Sequence, residues 1–400
     1  MKYTKMSLVA ALLVGSSAFA IDNTKISGDA KLFYDTSDTL TNELTDQASS
    51  RGQAAIDLAI TTDLTESVSA GVSTTALTTL GLENNLVGAV WSDAAATPDT
   101  STDWWVSEAW MATTMGKTTA KIGRQALDTP LAFSETWTIA QNTFDAAVLV
   151  NQDIKNTTLV GAYIGNGNGA SDGTVVNVPT DAKDDSYATF GVKGAYAAGV
   201  INNSVEDLAL QAWFYDVTDM AQAFWLQGDF NMDGIMVGAQ YSTMLTEGQL
   251  AGQADSNAFA AKLGYSDADM GLTASVAYSQ TAETGFLNIG NVATGANVGA
   301  QSKLYTEAWW NYGYVGAADM TAMNVTVEYA LQDIADLGLY YTDITAGDKA
   351  ANKDVNEITL SASRSYGALD TSLVYIRTDN KNINNTNAFN TVQVYLTLNY

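Results

Sequence analysis

The side chains available for chemistry in this 400-residue chain are carboxylates, amines, guanidiniums and hydroxyls, because histidine and cysteine are both absent. Without imidazole or thiol, no Ser-His or Cys-His nucleophile can be built, and no zinc or copper can be held by imidazole or thiolate. A disulfide framework is excluded as well. What remains is electrostatic work. Residues 117–151 read KTTAKIGRQALDTPLAFSETWTIAQNTFDAAVLVN, with Asp128, Glu135 and Asp145 as negative groups on or beside the connection Ala126–Gln141. Arg51, Arg124 and Arg377 are the positive groups expected on an opposing wall. Carboxylates facing guanidiniums across a narrow aqueous gap set a transverse field, which orders water and sorts solutes by charge and dipole.

Such a gap needs a wall, and the last ten residues show what it is made of. In TVQVYLTLNY, Val392, Val394, Leu396, Leu398 and Tyr400 lie on one face, and Gln393, Tyr395, Thr397 and Asn399 on the other. Apolar-out, polar-in alternation over about ten residues marks a strand between lipid and water. It recurs near 24–36, 51–62, 66–78, 103–115, 117–125, 142–152, 156–166, 186–198, 205–216, 220–231, 234–244, 256–266, 269–281, 319–332, 337–344, 355–365, 368–379 and 389–400. That predicts an all-β transmembrane antiparallel barrel of eighteen strands, with sixteen as the alternative count, because bacterial barrels have even strand numbers. Eight short connections belong at one end: Thr62–Glu66, Met115–Lys117, Asp153–Asn156, Ala198–Ser204, Asn231–Gly234, Ser266–Asp269, Gln332–Asp336 and Ser365–Ala368. Ser302–Gly313 is a candidate nineteenth strand. The even count assigns all of 282–318 to one long extracellular connection instead.

Residues 1–20 read as a secretory signal: Lys2 and Lys5, an apolar run Met6–Val14, then Ala18-Phe19-Ala20. The domain division is therefore 1–20 leader and 21–400 barrel, destined for the outer membrane by way of the periplasm. Removing Lys2 and Lys5 takes the net charge from −26 to −28. An acidic chain repels nucleic acid, and acidic groups lining a channel concentrate cations.

Charged residues test which face is wet, since Arg or Lys facing mid-bilayer lipid costs roughly 2–4 kcal/mol. With Ile26, Leu32 and Tyr34 outward, Asp29 and Lys31 face the lumen; with Ile56, Leu58 and Ile60 outward, Arg51 and Asp57 face it. The same sorting puts Lys193 inside, opposite Phe190, Val192 and Tyr196; Lys262 inside, opposite Phe259, Leu263 and Tyr265; and Glu328 inside, opposite Val325, Val327 and Tyr329. It puts Arg377 inside, opposite Val374 and Ile376. Arg124 breaks the pattern, because alternation groups it with Ile122. Either a bulge at Gly123 re-aims it inward, or it lies at the strand end, above the bilayer. Tyr34, Trp104, Trp105, Trp110, Tyr265, Tyr278, Tyr340, Tyr341 and Tyr400 fall near strand ends, as interfacial girdles would.

The connection Ala126–Gln141 is long, yet Leu127, Pro130, Leu131, Phe133, Trp137 and Ile139 need apolar surroundings. A third extracellular loop folded back into the lumen satisfies both facts, carrying Asp128 and Glu135 inward.

Ile122-Gly123-Arg124-Gln125, followed by Leu127-Asp128-Thr129-Pro130-Leu131, resembles the strand-to-constriction-loop segment of OprD-type porins. It is similar also to the related major outer-membrane porins of epsilonproteobacteria. Leu159-Val160-Gly161-Ala162-Tyr163 and the terminal Val394–Tyr400 fit the same family. The resemblance implies an eighteen-stranded diffusion channel, often a homotrimer, with the third loop folded inward. It also implies that barrel-insertion machinery reads the last strand. OprD-type channels carry a ladder of lumen arginines and lysines that guides carboxylates. This chain has four arginines (Arg51, Arg124, Arg364 and Arg377), which departs from the ladder and favours a general, cation-preferring pore.

The expectation is thus a passive porin for ions and small hydrophilic solutes, seated in lipid and lipopolysaccharide. It is not an enzyme and has no cofactor; oxygen ligands for Ca²⁺ exist, but no calcium-loop spacing does. The competing expectation is a structural or adhesin-type barrel without transport. That requires a filled lumen, and eighteen strands enclose more space than wall side chains alone fill.

Overall fold

A computed structural model describes residues 23–39, 43–78, 103–136, 139–168, 187–293, 300–347, 354–380 and 388–400. The leader at 1–20 and Trp137 lie outside the described residues. Eighteen long antiparallel strands follow in chain order. They are β1 Lys25–Ser37, β2 Ser50–Thr65, β3 Val68–Thr78, β4 Asp103–Met115, β5 Thr118–Gln125, β6 Phe144–Asn151, β7 Thr157–Gly167, β8 Ala195–Val205 and β9 Leu208–Val217. The second half comprises β10 Ala221–Met232, β11 Ile235–Thr246, β12 Ser256–Asp267, β13 Leu272–Thr281, β14 Met320–Leu331, β15 Ala335–Ala346, β16 Val355–Tyr366, β17 Leu369–Asn380 and β18 Phe389–Asn399. Each strand pairs with its sequence neighbours, and β1 pairs with β18 from Asp29↔Asn399 to Ser37↔Thr391, so the sheet closes on itself. Closure leaves no unpaired edge, which is what a sheet in lipid requires. Ala188 and Thr189 add a two-residue pairing to Gly167 and Asn166.

Turn chemistry fixes the end with short connections. Asp233 (φ 50) and Gly234 (φ 84) both take positive φ, the type I′ hairpin that matches strand twist. Asn156, Asp207 and Asp333 adopt the same region in their own turns. The segment 282–319 contains no strand among its described residues, only a 3₁₀ turn at Tyr312–Tyr314, so 302–313 is loop.

The outer face is the apolar one. Ile26, Ile56, Leu58, Ile60, Ile122, Leu149, Leu263 and Leu398 are all exposed there. Several sequence expectations need correction. The eighth strand is 195–205, not 186–198, because Gly191 (φ 58) and Gly194 (φ 83) break the chain before it. The Asn-Ser stretch after Ala198, expected to turn, continues the strand to a turn at Glu206–Asp207. Phe190 is consequently buried, and Lys193 sits off the strands, 61% exposed and 3.0 Å from Asp219. In β17 the parity is inverted: Val374 and Ile376 are fully buried inside, while Leu373, Tyr375 and Arg377 are on the exposed face. Of the girdle aromatics, Trp105 is buried, Trp110 stacks under Lys121 and Tyr340 bonds Glu328, all on the inner side.

Candidate functional site in the barrel lumen

Two long connections fold into the barrel. The first, 126–143, buries Leu127, Leu131, Ala132, Phe133 and Ile139, as its apolar content demands. Bridges Asp128↔Phe133 and Thr136↔Gln141 give it a compact double bend. The second, 282–319, buries Leu287, Ile289, Leu304 and Val315. Leu127, Leu131 and Ala132 of the first loop and Leu287, Ile289, Leu304 and Val315 of the second form one cluster with inward side chains of the wall, including Trp213, Tyr215, Trp225, Met244 and Ile344. Ile139 joins a second cluster with Phe33, Leu77 and Trp105.

The two loops hold each other. Asn291, fully buried, receives a bond from the Phe133 amide (3.2 Å), and donates to the Phe133 carbonyl (2.7 Å) and to Glu135 (2.8 Å). The Val292 amide donates to the Leu131 carbonyl at 2.9 Å. Lys303 pairs with Asp128 and lies 4.6 Å from the centre of the Phe133 ring. The second loop is also tied to the wall. Glu357 of β16, 1% exposed, accepts from the amides of Trp309 (2.7 Å), Trp310 (3.1 Å) and Asn311 (2.8 Å), and from the Asn311 side chain (2.7 Å). Asn311 reaches Thr378 on β17 at 3.0 Å, two residues along the face that buries Ile376. That contact explains the inverted parity of β17: its inner face meets a loop rather than water.

On the wall, cations come paired. Lys31 sits between Asp29 (2.9 Å) and Asp57 (2.7 Å), and Thr75 also donates to Asp57. Arg51 donates to Asp35, 1% exposed, through Nε at 2.8 Å. Lys121 lies 3.9 Å from Glu108 and 4.2 Å from the Trp110 ring centre. Lys262 lies 3.6 Å from Asp229 and 4.3 Å from the centre of Tyr305, a residue of the second loop whose hydroxyl donates to Asp229 at 2.7 Å. Burial first, then Asp229, holds the Tyr305 hydroxyl above the ordinary range, so it stays a donor. Gly238 makes room for that ring; a Cβ there would sit 2.5 Å from the Tyr305 hydroxyl.

The expected constriction charges are therefore distributed differently from the sequence reading. Asp128 is on the first loop but neutralised by Lys303. Glu135 is 3% exposed and locked between the loops. Asp145 is in β6, cross-strand from Arg124 and 2.9 Å from it. The ladder on both sides of Gly123 runs without a register shift, although Gly123 itself has φ 119. No bulge displaces Arg124. It is the penultimate residue of β5, donates to the Val106 carbonyl at 2.9 Å and stacks 3.3 Å from the centre of Tyr187. Arg377 is outside. Arg51 and Asp128 keep part of their side chains exposed, as do Arg124 and Asp145. Asp29, Lys31 and Asp57 form one group on neighbouring strands β1 and β2, Lys262 lies beside Asp229 and Tyr305, and Glu328 accepts from Tyr340.

Sequence reading missed Lys303, Tyr305, Asn291 and Glu357. The apolar signal that placed the first loop inside was present in the second as well, in Phe286-Leu287, Leu304 and Trp309-Trp310. Among the described residues, no three of Asp, Glu, His and Cys converge as metal ligands.

No protein-family model matches the chain, and no curated protein matches it in sequence. Solved structures match in shape, and they define the class of fold: closed eighteen-stranded barrels of the OprD and Occ type. The chain is similar to OccK8 (OprE) of Pseudomonas aeruginosa, with a TM-score of 0.74 and 14% identity over 96% of this chain and 99% of that one. It is similar to OpdK of Pseudomonas aeruginosa, solved with vanillate (TM-score 0.73, 13% identity, 95% and 99% covered). It also resembles OccAB2 of Acinetobacter baumannii (TM-score 0.71, 16% identity, 96% and 99% covered).

Proposed function

We propose that the chain is an outer-membrane porin: a channel for passive diffusion of ions and small hydrophilic solutes, with a preference for cations. The observation that carries this reading is the inner face. A barrel with an apolar exterior and ion pairs along its interior surface is built to hold water there. Lys31, Arg51, Lys121, Lys262 and Lys303 each have a carboxylate partner. Among the described residues, no ion pair involves Glu328 or Asp336 (both exposed), so the interior has an acidic surplus. A surplus of fixed negative charge in a narrow lumen raises the local cation concentration. OpdK binds vanillate, a carboxylate, in its solved structure. Here the five inward cations named above are already matched, which disfavours anion traffic.

Delivery follows the leader at 1–20 to the periplasm and then insertion through the terminal strand. A homotrimer in lipid and lipopolysaccharide, without cofactor, is the assembly we propose. A second reading draws on the apolar cluster shared by both loops and the wall: a barrel filled at one end, structural rather than conducting. Single-channel recording of the purified protein under a KCl gradient separates them. Steady ohmic steps with a reversal potential on the cation side support the porin. Silence across many insertions supports the filled barrel, and an anion-side potential overturns the cation preference.

A further inference from the structure

We infer that the lumen contains a binding site for small organic ammonium ions that carry an apolar or aromatic body. The inference rests on the channel reading for its physiological meaning, and on a cavity for its location. The cavity has a volume of about 390 Å³ and lies on the β13–β18 side, with Lys31 and Leu32 of β1 and Thr136 and Ile139 of the first loop also in its lining. That is within the range of pockets that take one small molecule.

Its walls state the ligand chemistry. Trp309 from the second inward loop and Tyr340 from β15 stand with ring centroids 5.1 Å apart at 39°, and Tyr395 of β18 contributes a third ring. Gly338 lets Tyr340 lie against the wall, since a Cβ there would be 2.6 Å from that ring. Aromatic faces attract cations through the ring quadrupole. Glu328, exposed to the lumen, accepts from the Tyr340 hydroxyl at 2.9 Å, and Asp336 lines the same space. Lys31 is the one cation in the lining, and it is held between Asp29 and Asp57. Carboxylates next to rings favour an ammonium with an organic body over two competitors. Potassium gains the carboxylates but little from the rings. A carboxylate solute gains the rings but meets Glu328 and Asp336. Ser361, Ser363 and Ser372 add hydroxyls to the lining.

The test uses the full-length protein in planar bilayers at 0.15 M KCl, with benzyltrimethylammonium or benzoate added to either side. Benzyltrimethylammonium should interrupt the current in a dose-dependent manner, and benzoate should not. Glu328→Gln and Tyr340→Leu should each raise the half-blocking concentration about 3- to 10-fold, the size expected for one partly screened contact. Equal block by benzoate, or half-blocking concentrations unchanged in both variants, overturns the site. If wild type never conducts, the channel reading fails separately. Calorimetric titration of benzyltrimethylammonium into the detergent-held barrel then decides the site. Saturable binding weakened in both variants supports it, and absence of saturable binding overturns it.

Discussion

Asn291, on the connection between β13 and β14, bonds Glu135, on the connection between β5 and β6, at 2.8 Å inside the barrel. One residue thus ties two loops whose ends are anchored on different arcs of the wall. Neither loop is free to swing without leaving Glu135, or the Phe133 amide and carbonyl, without this partner in a dry interior.

Replacing Asn291 with Ala removes the partner of several buried polar atoms at once. Each unmade bond to a buried group costs about 1–3 kcal/mol, more where a charge is involved. The barrel, held by its closed ladder, should still fold. The loops should loosen, and open-channel noise should rise while heat-modifiable migration in gels persists. Noise indistinguishable from wild type would mean that the ladder alone holds the loops.

Lys303 and Asp128 make a separate prediction. Their pairing cancels charge in the constriction, so Lys303→Gln should shift reversal potentials toward stronger cation preference at low salt. Asp128→Asn should shift them the other way, and the double variant should sit near wild type. At 1 M salt, where screening acts over about 3 Å, all four potentials should converge. Glu135→Gln should change selectivity little, because Glu135 is buried. A Glu135→Gln shift as large as that of Lys303→Gln would put ions where the structure puts protein.

The barrel was legible because an apolar outer face alternates with a more polar inner face along most strands, β17 excepted. The first inward loop was legible because Leu127, Leu131 and Phe133 have nowhere else to go. The second carried a comparable signal in Leu304 and Trp309-Trp310, masked by resemblance to a strand. Pairing across the lumen was not legible: Lys303 and Asp128 are 175 positions apart, and nothing local links them. The eighth strand was misplaced because asparagine and serine in 202–204 read as turn residues, although here Asn202 bonds Thr157 across the sheet.

Arg377 was misread for a physical reason that can be measured. Charge sorting assumes a mid-bilayer penalty, but the cost of an outward Arg falls to about 0–1 kcal/mol near the interface. Arg377 is three residues from the end of β17, on the side of the long connections. Arg377→Gln should therefore leave reversal potentials unchanged and alter stability by less than about 1 kcal/mol. A selectivity change in this variant would return Arg377 to the lumen.

The seam of the barrel gives the last prediction. Gly28 and Tyr400 exchange backbone bonds, both at 3.0 Å, and the Tyr400 hydroxyl donates to the Asp57 carbonyl at 3.0 Å. The ring covers Gly28, where a Cβ would sit 2.1 Å from that carbonyl and 2.8 Å from the ring. Aromatic cover of a strand glycine is a known device for holding register. Two substitutions separate its parts. Tyr400→Ala removes a partly exposed ring and one hydrogen bond, about 1 kcal/mol. Gly28→Ala forces backbone apart where the first strand meets the second and last, an overpacking cost of about 1–3 kcal/mol. Urea midpoints of the purified barrel in lipid vesicles should therefore fall further for Gly28→Ala than for Tyr400→Ala. The reverse order would mean that the aromatic terminus, rather than the space beneath it, holds the seam.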